Sequence, residues 1–379
     1  MTGPGLTAST PKTNSQYWKN NNLSGLRILA AVQVAVYHCL YYFGRGNKTF
    51  IHVIGLFPGV PIFFFLSGLL ISRSNNASSG FVSYMRKRLA RIYPGLWLAF
   101  AVAVVLVIGS GYRIQTSPVK LAAWLLAQVS FAQFFNPGFL RGFGTGALNG
   151  SLWTISVELQ FYVLLPIIVG LIRRRTRRVK HATAVLGVLI VIFAFVNRWY
   201  ISAGGQYSDA MKMKLIGVSF APWIYMFLVG VVVEMHFDRV LSFIAQFRYS
   251  IAATALGLLA IAHPVFKWNV DNTVNPAVFS LLAILSLVVA FTVPPIRSDV
   301  QRAHDISYGM YLFHMPIVNL FLYRNWHRGP AAVYLALGTS ALLATLSWHF
   351  VENPLLKLGR TGWSSTRDKN STKIWAGQQ

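Results

Sequence analysis

Apolar runs separated by short polar segments recur along almost the whole chain. Several runs reach the ~20 residues that an α-helix needs to cross a bilayer, and the segments between them leave no room for a large soluble domain. The pattern predicts an all-α fold, a polytopic membrane helix bundle of about ten transmembrane helices. The candidate spans are about 23–43, 52–72, 93–110, 151–172, 182–200, 215–234, 248–266, 276–294, 305–323 and 330–351.

One further apolar segment, 119–135, decides the topology. If it crosses the membrane, the basic runs at 86–91 and 173–180 lie on opposite sides, whereas they share a side if it is interfacial or re-entrant. With ten spans and both termini inside, about two thirds of the 34 Lys and Arg residues lie on the cytoplasmic side, as the positive-inside rule requires. We therefore predict an N-in/C-in protein in which 111–150 forms a long outer loop.

Composition and charge agree with a membrane protein. The 379 residues are 55% hydrophobic and only 11% charged, which is too little charge for an ordinary soluble surface. A net charge of +25 would suggest nucleic acid in a soluble chain, but most basic residues here lie in short loops and no nucleic-acid motif accompanies them. We predict a membrane domain at 23–355 between two polar cytoplasmic segments, an arm at 1–22 and a tail at 356–379.

Two ionisable residues share one face of the first predicted span. In "LRILAAVQVAVYHCL" (26–40), Arg27 and His38 are eleven residues apart, which is about three helical turns and roughly 16 Å of rise. An ionisable group inside the membrane is costly unless it is paired or hydrated, and each is therefore a functional candidate. The simpler alternatives are a snorkelling topology anchor at Arg27 and a structural hydrogen bond at His38. Cys39, the single cysteine, is interpreted as a buried bystander.

Polar side chains also mark the fourth and ninth predicted spans. Glu158 follows Trp153 and Ser156 in "NGSLWTISVELQFYVLLP" (149–166), and a carboxylate that merely complements the helix dipole is the alternative there. The segment "HDISYGMYLFHMP" (304–316) places on one helical stripe Ser307, Tyr311 and His314, with Tyr308 beside it. Such a stripe should face the bundle interior or a wet cavity. No Cys/His set has metal-ligand spacing, so no metal is expected.

Six motifs follow one another along about residues 20–355. They are Arg27 with His38, "FFFLSGLLIS" (63–72), "KRLARIYP" (87–94) with Arg88 and Arg91, "SLWTISVELQFYVLLP" (151–166), "ISYGMYLFHMPI" (306–317) and "VENP" (351–354). In this order they resemble the acyltransferase-3 family of integral membrane acyltransferases, many of which O-acetylate sugars in bacterial surface polysaccharides. One departure is Leu159, where many members carry a second acidic residue.

The resemblance implies an acyl-CoA donor, with acetyl-CoA favoured as co-substrate, and a carbohydrate or glycolipid acceptor. Anionic CoA needs basic groups near the cytoplasm, and the guanidinium fork suits phosphates; the residues assigned to the donor are Arg27, Arg88 and Arg91, with a plain positive-inside cluster as the alternative. His38 is the expected general base. The residues expected to orient it or the acceptor are Glu158, Tyr311 and His314. The residues expected to contact substrate are Trp153, Ser156, Ser307 and Tyr308.

Two other functions stay open on the sequence. A transporter or flippase of a lipid-linked saccharide would also carry intramembrane charges, and it needs neither a donor site nor a base. An enzyme of the membrane-bound O-acyltransferase type is also built around a buried histidine, although the R-x-x-R pair and the position of His38 in the first span argue against it. We expect a multi-pass protein of the bacterial cytoplasmic (inner) membrane. Polysaccharide, lipopolysaccharide, lipo-oligosaccharide and small-molecule acceptors are all compatible with the residues.

Overall fold

The regular structure of this chain is helical wherever it is described. A computed structural model describes residues 14–176, 178–205, 208–262, 264–265, 271–295 and 305–361. Most of the predicted N-terminal arm and C-terminal tail lies outside these residues. The α-helices are α1 Asn14–Lys19, α2 Leu23–Tyr42, α3 Lys48–Gly55, α4 Gly59–Asn76, α5 Phe81–Gly109, α6 Pro118–Val129, α7 Trp153–Arg175, α8 Val179–Ser202, α9 Met211–Val218, α10 Ile224–Met235, α11 Phe237–Ala262, α12 Pro276–Leu287, α13 Ser307–Tyr323, α14 Ala332–Ser347 and α15 Asn353–Thr361.

The predicted all-α membrane bundle is confirmed. Within the described residues, seven helical segments are long and apolar enough to cross a membrane. Every predicted span contains helix, but two are broken: 52–72 is divided between α3 and α4, and 215–234 between α9 and α10. The total of ten crossings and their orientation stay predictions.

The ambiguous segment at 119–135 forms the short helix α6. Its twelve residues rise about 18 Å, less than the ~30 Å thickness of the hydrocarbon core. Ser117 accepts a hydrogen bond from the backbone N–H of Lys120, and Pro118 occupies the first turn, so the helix has a defined start. Its buried residue Trp124 packs edge-to-face on Phe100 of α5. The length of α6 favours an interfacial or re-entrant segment.

Helix α5 begins twelve residues earlier than the predicted span at 93–110. The basic sequence at 86–91 lies before the predicted span, yet the helix runs through it and on through Pro94. Consequently Arg88 and Arg91 lie on one face of a continuous helix, at i and i+3. Gly95 permits close packing there, because a Cβ at this position would lie 2.9 Å from the Tyr308 ring and 3.2 Å from the Glu352 carboxyl carbon.

Helix α13 is the central helix of the part of the bundle that contains the polar residues. Of its 17 residues 14 are buried, and it packs against α2, α5 and α14. Gly309 lets α14 approach closely, since a Cβ there would lie 2.8 Å from the Ala344 Cα. The polar stripe predicted on this helix therefore faces protein and internal cavities on all sides.

Candidate active site

Two adjoining cavities contain most of the polar residues singled out in the sequence. The arginine cavity, of about 110 Å³, lies between α2, α4, α5, α7 and α13 and is bordered by Arg27, Arg88, Arg91, Glu158, Ser307 and Tyr308. The histidine cavity, of about 60 Å³, is bordered by His38, Tyr42, Ser151 and Trp153. Val60 and Tyr311 line both cavities. These two residues therefore stand where the cavities meet.

Asp305 joins two of the three arginines. Arg27 Nη1 and Arg91 Nη2 each donate to the same oxygen, Asp305 Oδ2, at 2.7 Å. Ser307 Oγ donates to the other oxygen, Oδ1, at 2.6 Å. Two guanidinium groups and one hydroxyl group therefore hold this carboxylate, and its negative charge balances part of the positive charge of the arginines.

Arg88 belongs to a different set of contacts. Its Nη2 donates to Ser74 Oγ at 3.0 Å, while its Nε is buried without a hydrogen-bond partner among the described residues. An unpaired buried N–H is costly. Of the cavity's three arginines, Arg88 is the one with a buried N–H group that no described residue satisfies.

Glu158 faces the arginine cavity. Its Oε1 accepts hydrogen bonds from Ser67 Oγ at 2.8 Å and Tyr162 Oη at 2.9 Å. The sequence placed Glu158 with the outer half of the site, near His38, whereas the structure places it on the arginine side of Tyr311. Helix α7 begins at Trp153, so Glu158 lies in its second turn, held by neighbours on α4 and on its own helix.

His38 and His314 form a hydrogen-bonded pair. His38 Nδ1 lies 2.9 Å from His314 Nε2, and the nearly parallel rings, at 11° with centroids 5.1 Å apart, suit a bond in the ring plane. His314 Nδ1 lies 2.8 Å from the Tyr311 carbonyl oxygen. Because a carbonyl only accepts, His314 Nδ1 must donate, which leaves its Nε2 as the acceptor in the neutral ring. His38 Nδ1 then donates, and its Nε2 keeps a free lone pair.

The burial of the two rings separates their roles. His314 is fully buried and lies behind His38, while His38 borders the histidine cavity. A neutral imidazole with an exposed Nε2 can accept a proton. The arrangement supplies a base, His38, supported by a neutral histidine and a backbone carbonyl.

Tyr311 is fixed by the start of α7. Its hydroxyl donates to the Ser151 carbonyl at 2.9 Å and lies 2.7 Å from Thr154 Oγ1. The ring packs edge-to-face against Phe63. Because its hydroxyl already donates a hydrogen bond to Ser151, the Tyr311 side chain is not available as a donor and instead borders both cavities. Its backbone carbonyl accepts the hydrogen bond from His314.

Comparison with known proteins decides the family. A family described as an acyltransferase domain matches residues 20–349. The chain belongs to the acyltransferase-3 family. It is 29% identical over 376 residues to nodulation protein 10 of Rhizobium leguminosarum bv. viciae, covering 92% of this chain and 96% of that protein. It is 23% identical over 356 residues to the O-acetyl transferase of Shigella phage Sf6, covering 89% and 96%.

A third relative is longer than this chain. The peptidoglycan O-acetyltransferase OatA of Listeria monocytogenes is 22% identical over 387 residues, covering 92% of this chain and 58% of that protein. No solved structure matches the chain. The family and these relatives identify the protein as a multi-pass membrane acyltransferase.

This acyltransferase-3 chain gathers most, but not all, of the predicted residues. Ser156 lies apart from both cavities, where its Oγ donates to the Phe131 carbonyl at 3.0 Å and ties α7 to the segment after α6. Ser307 and Tyr308 border the arginine cavity, and Trp153 borders the histidine cavity. Tyr308 is held by a hydrogen bond to the Ile92 carbonyl at 2.9 Å.

Sequence reasoning missed Asp305, although a signal for it was present. The chain has only nine acidic residues, and this one directly precedes the "ISYGMYLFH" segment. Ser67 and Thr154 were also missed, because an isolated hydroxyl in an apolar run carries no pattern. Their importance appears only when Glu158 and Tyr311 are seen to depend on them.

Proposed function

We propose that the protein is an O-acyltransferase of the bacterial inner membrane that moves a short acyl group, with acetyl favoured, from acyl-CoA to a hydroxyl of a carbohydrate or glycolipid. The observation that carries this proposal is the pair of adjoining cavities, with arginines at one end and an available histidine Nε2 at the other. The named activities of the relatives, O-acetyl transfer and peptidoglycan O-acetylation, support a glycan acceptor for this chain.

The donor enters at the arginine end. CoA carries several phosphate charges, and guanidinium groups bind phosphates with paired hydrogen bonds. Arg27 and His38 are about 16 Å apart along α2, so a donor whose phosphates lie near Arg27 has its extended arm directed toward the junction at Tyr311. The thioester then lies between the two cavities.

His38 drives the transfer as a general base. Its Nε2 takes the proton from the acceptor hydroxyl while the hydroxyl oxygen attacks the thioester carbonyl carbon. The carbon–sulfur bond breaks, the acyl ester forms, and the proton on His38 passes to the departing CoA thiolate, which restores the neutral imidazole. His314 accepts from His38 Nδ1 throughout and stabilises the transient imidazolium.

The test is acyl transfer by the purified protein in lipid vesicles, with labelled acetyl-CoA and bacterial glycan fractions as acceptors. The parent should form an ester-linked labelled glycan. His38→Gln should lower kcat by about a hundredfold to ten-thousandfold, because an amide hydrogen-bonds but carries no proton. His349→Gln is the matched control, since His349 is exposed and its Nδ1 bonds to the Thr345 carbonyl, four residues earlier in the chain.

Two results would contradict the proposal. Activity of His38→Gln within a few-fold of the parent, at equal protein in the vesicles, would move the base to another residue. Glycan transport by the parent without any ester formation from acyl-CoA would favour the flippase alternative.

A further inference from the structure

We infer that Asp305 is a positioning residue for the acyl donor: it holds Arg27 and Arg91 together as one anion-binding unit, and it leaves Arg88 as an independent second contact. The inference rests on the proposed acyl-CoA donor. The sequence assigned all three arginines to the donor in the same way, whereas this inference separates Arg88 from the other two. It also gives a role to a carboxylate that takes no part in the chemistry at His38.

A single carboxylate oxygen brings the two guanidinium groups together. Arg27 lies on α2 and Arg91 on α5, and both donate to Asp305 Oδ2 at 2.7 Å. Two cations this close repel strongly where little water screens them. The shared anion removes that repulsion, so both arginines can border the same cavity with further N–H groups available for phosphate.

The carboxylate itself cannot turn away. Its second oxygen accepts from Ser307 Oγ at 2.6 Å, and Ser307 is the first residue of the central helix α13. Arg91 also lies over the Trp348 ring, 5.4 Å from its centroid. The pair is therefore ordered before a donor arrives, which lowers the entropy cost of binding.

Arg88 lies one turn away from Arg91 on α5 but outside this network. Its described hydrogen bond goes to Ser74 on α4, and its buried Nε has no partner among the described residues. Loss of Asp305 should therefore disturb Arg27 and Arg91 and leave Arg88 unchanged.

The first test is Asp305→Asn in the acyl-transfer assay, with donor and acceptor kinetics measured separately. We expect the donor KM to rise at least tenfold, with kcat at saturating donor and the acceptor KM within threefold of the parent. Asp305→Glu should recover part of the donor affinity. Asp209→Asn is the control, because Asp209 pairs with Lys214 at the exposed surface. An unchanged donor KM, a lower donor KM, or a loss confined to kcat would overturn the inference.

A milder variant covers the case in which Asp305→Asn does not fold. Ser307→Ala keeps both charges and removes only the bond that fixes the carboxylate, so the donor KM should rise about twofold to fivefold with normal protein yield. No change in donor KM would count against the positioning role.

Combined variants test the division among the arginines. In the double variant with Arg91→Gln, Asp305→Asn should raise the donor KM little beyond that of Arg91→Gln alone, because both changes remove the same anion-binding unit. In the double variant with Arg88→Gln, the fold-increases in donor KM of the two single variants should multiply, because the two contacts are independent. The reverse pattern would overturn the inference. If the parent transfers no acyl group from acyl-CoA, the proposed function fails; if it does and the variants behave otherwise, only the role of Asp305 fails.

Discussion

The hydrogen bond between His38 and His314 assigns a different task to each ring. His314 offers an acceptor at Nε2 because its Nδ1 donates to the Tyr311 carbonyl. It thereby holds His38 in the tautomer with a free Nε2 and contributes no proton transfer of its own. The assignment makes the two histidines unequal, with the base at His38 and a supporting acceptor at His314.

Substitutions at His314 separate support from proton transfer. In His314→Gln the amide oxygen can accept from His38 Nδ1, so we expect kcat within about tenfold of the parent. His314→Ala leaves that donor unpaired and should lower kcat by about a hundredfold, at the lower end of the range for a misplaced general base. Both variants should keep the parent's donor KM.

The measurement is the pair of steady-state rates at equal amounts of folded protein in vesicles. If His314→Gln were as inactive as His38→Gln, His314 would itself carry a proton. If His314→Ala kept full activity, His38 would not need this partner.

Individual residues were predictable where helical periodicity reveals them. Arg27 and His38 share a helix face, and so do Ser307, Tyr311 and His314; all of these except the fully buried His314 border one of the two cavities. Contacts across the chain were not predictable, since His38 and His314 are 276 positions apart and periodicity contains no information on partners. The bond from Arg27 to Asp305 escaped detection for the same reason.

At the scale of the helices, glycines set how closely two of them approach. A Cβ at Gly68 of α4 would lie 2.0 Å from the Phe227 carbonyl oxygen, and one at Gly230 of α10 would lie 2.3 Å from the Phe65 carbonyl oxygen. Both obstacles are backbone atoms, which cannot rotate away. Small residues commonly permit such close crossings between membrane helices.

Gly68→Ala and Gly230→Ala should therefore force α4 and α10 apart. Overpacking of this kind typically costs about 1–3 kcal/mol, or more where backbone must move. We expect a lower thermal midpoint and a severalfold smaller yield of monodisperse protein, and Ser67 on α4 should no longer reach Glu158, so activity should fall as well.

Gly257→Ala on α11 provides the matched control, because a Cβ there meets nothing within 4 Å. It should leave the thermal midpoint unchanged or slightly raised, as expected from the better helix propensity of alanine. Equal midpoints for Gly68→Ala and Gly257→Ala would show that the helices do not pack as closely as described.

The breaks within two predicted spans could not be seen from hydropathy. Mean hydropathy is averaged over a window that is longer than either break. The breaks lie at residues 56–58, between α3 and α4, and at residues 219–223, between α9 and α10. Pro58 precedes α4 in extended backbone conformation, which in retrospect marks one break. The second break has no comparably clear marker and depends on tertiary contacts, such as the hydrogen bond from Trp223 Nε1 to the Gly217 carbonyl.

For the whole molecule, contacts between connecting segments limit the number of membrane crossings. Arg45, just after α2, donates to the carbonyl oxygens of Arg328 and Gly329, between α13 and α14. Both segments therefore lie at the same end of the bundle, which requires an even number of crossings between them. The predicted ten-span arrangement has eight crossings there, and a full crossing by α6 would make nine. The contact supports an α6 that enters the membrane partly or lies along it.

The packing of the helices does not determine which end of the bundle faces the cytoplasm. That orientation depends on the distribution of charge along the chain. Basic residues are concentrated in the sequence around Arg88 and Arg91 and in the run at 173–180, so the positive-inside rule predicts that this end faces the cytoplasm, which is the side that supplies the proposed acyl-CoA donor.

The prediction is tested with single cysteines at Gln115, Thr176 and Ala210 in a Cys39→Ala background. Cys39 is buried, so its replacement should leave little change in fold, which retained acyl transfer would verify. A membrane-impermeant maleimide on intact cells should label positions 115 and 210, while position 176 should react only after permeabilisation. Labelling of position 176 from outside, or of position 115 only after permeabilisation, would refute the N-in/C-in topology and place the arginine cavity on the wrong side for a cytosolic donor.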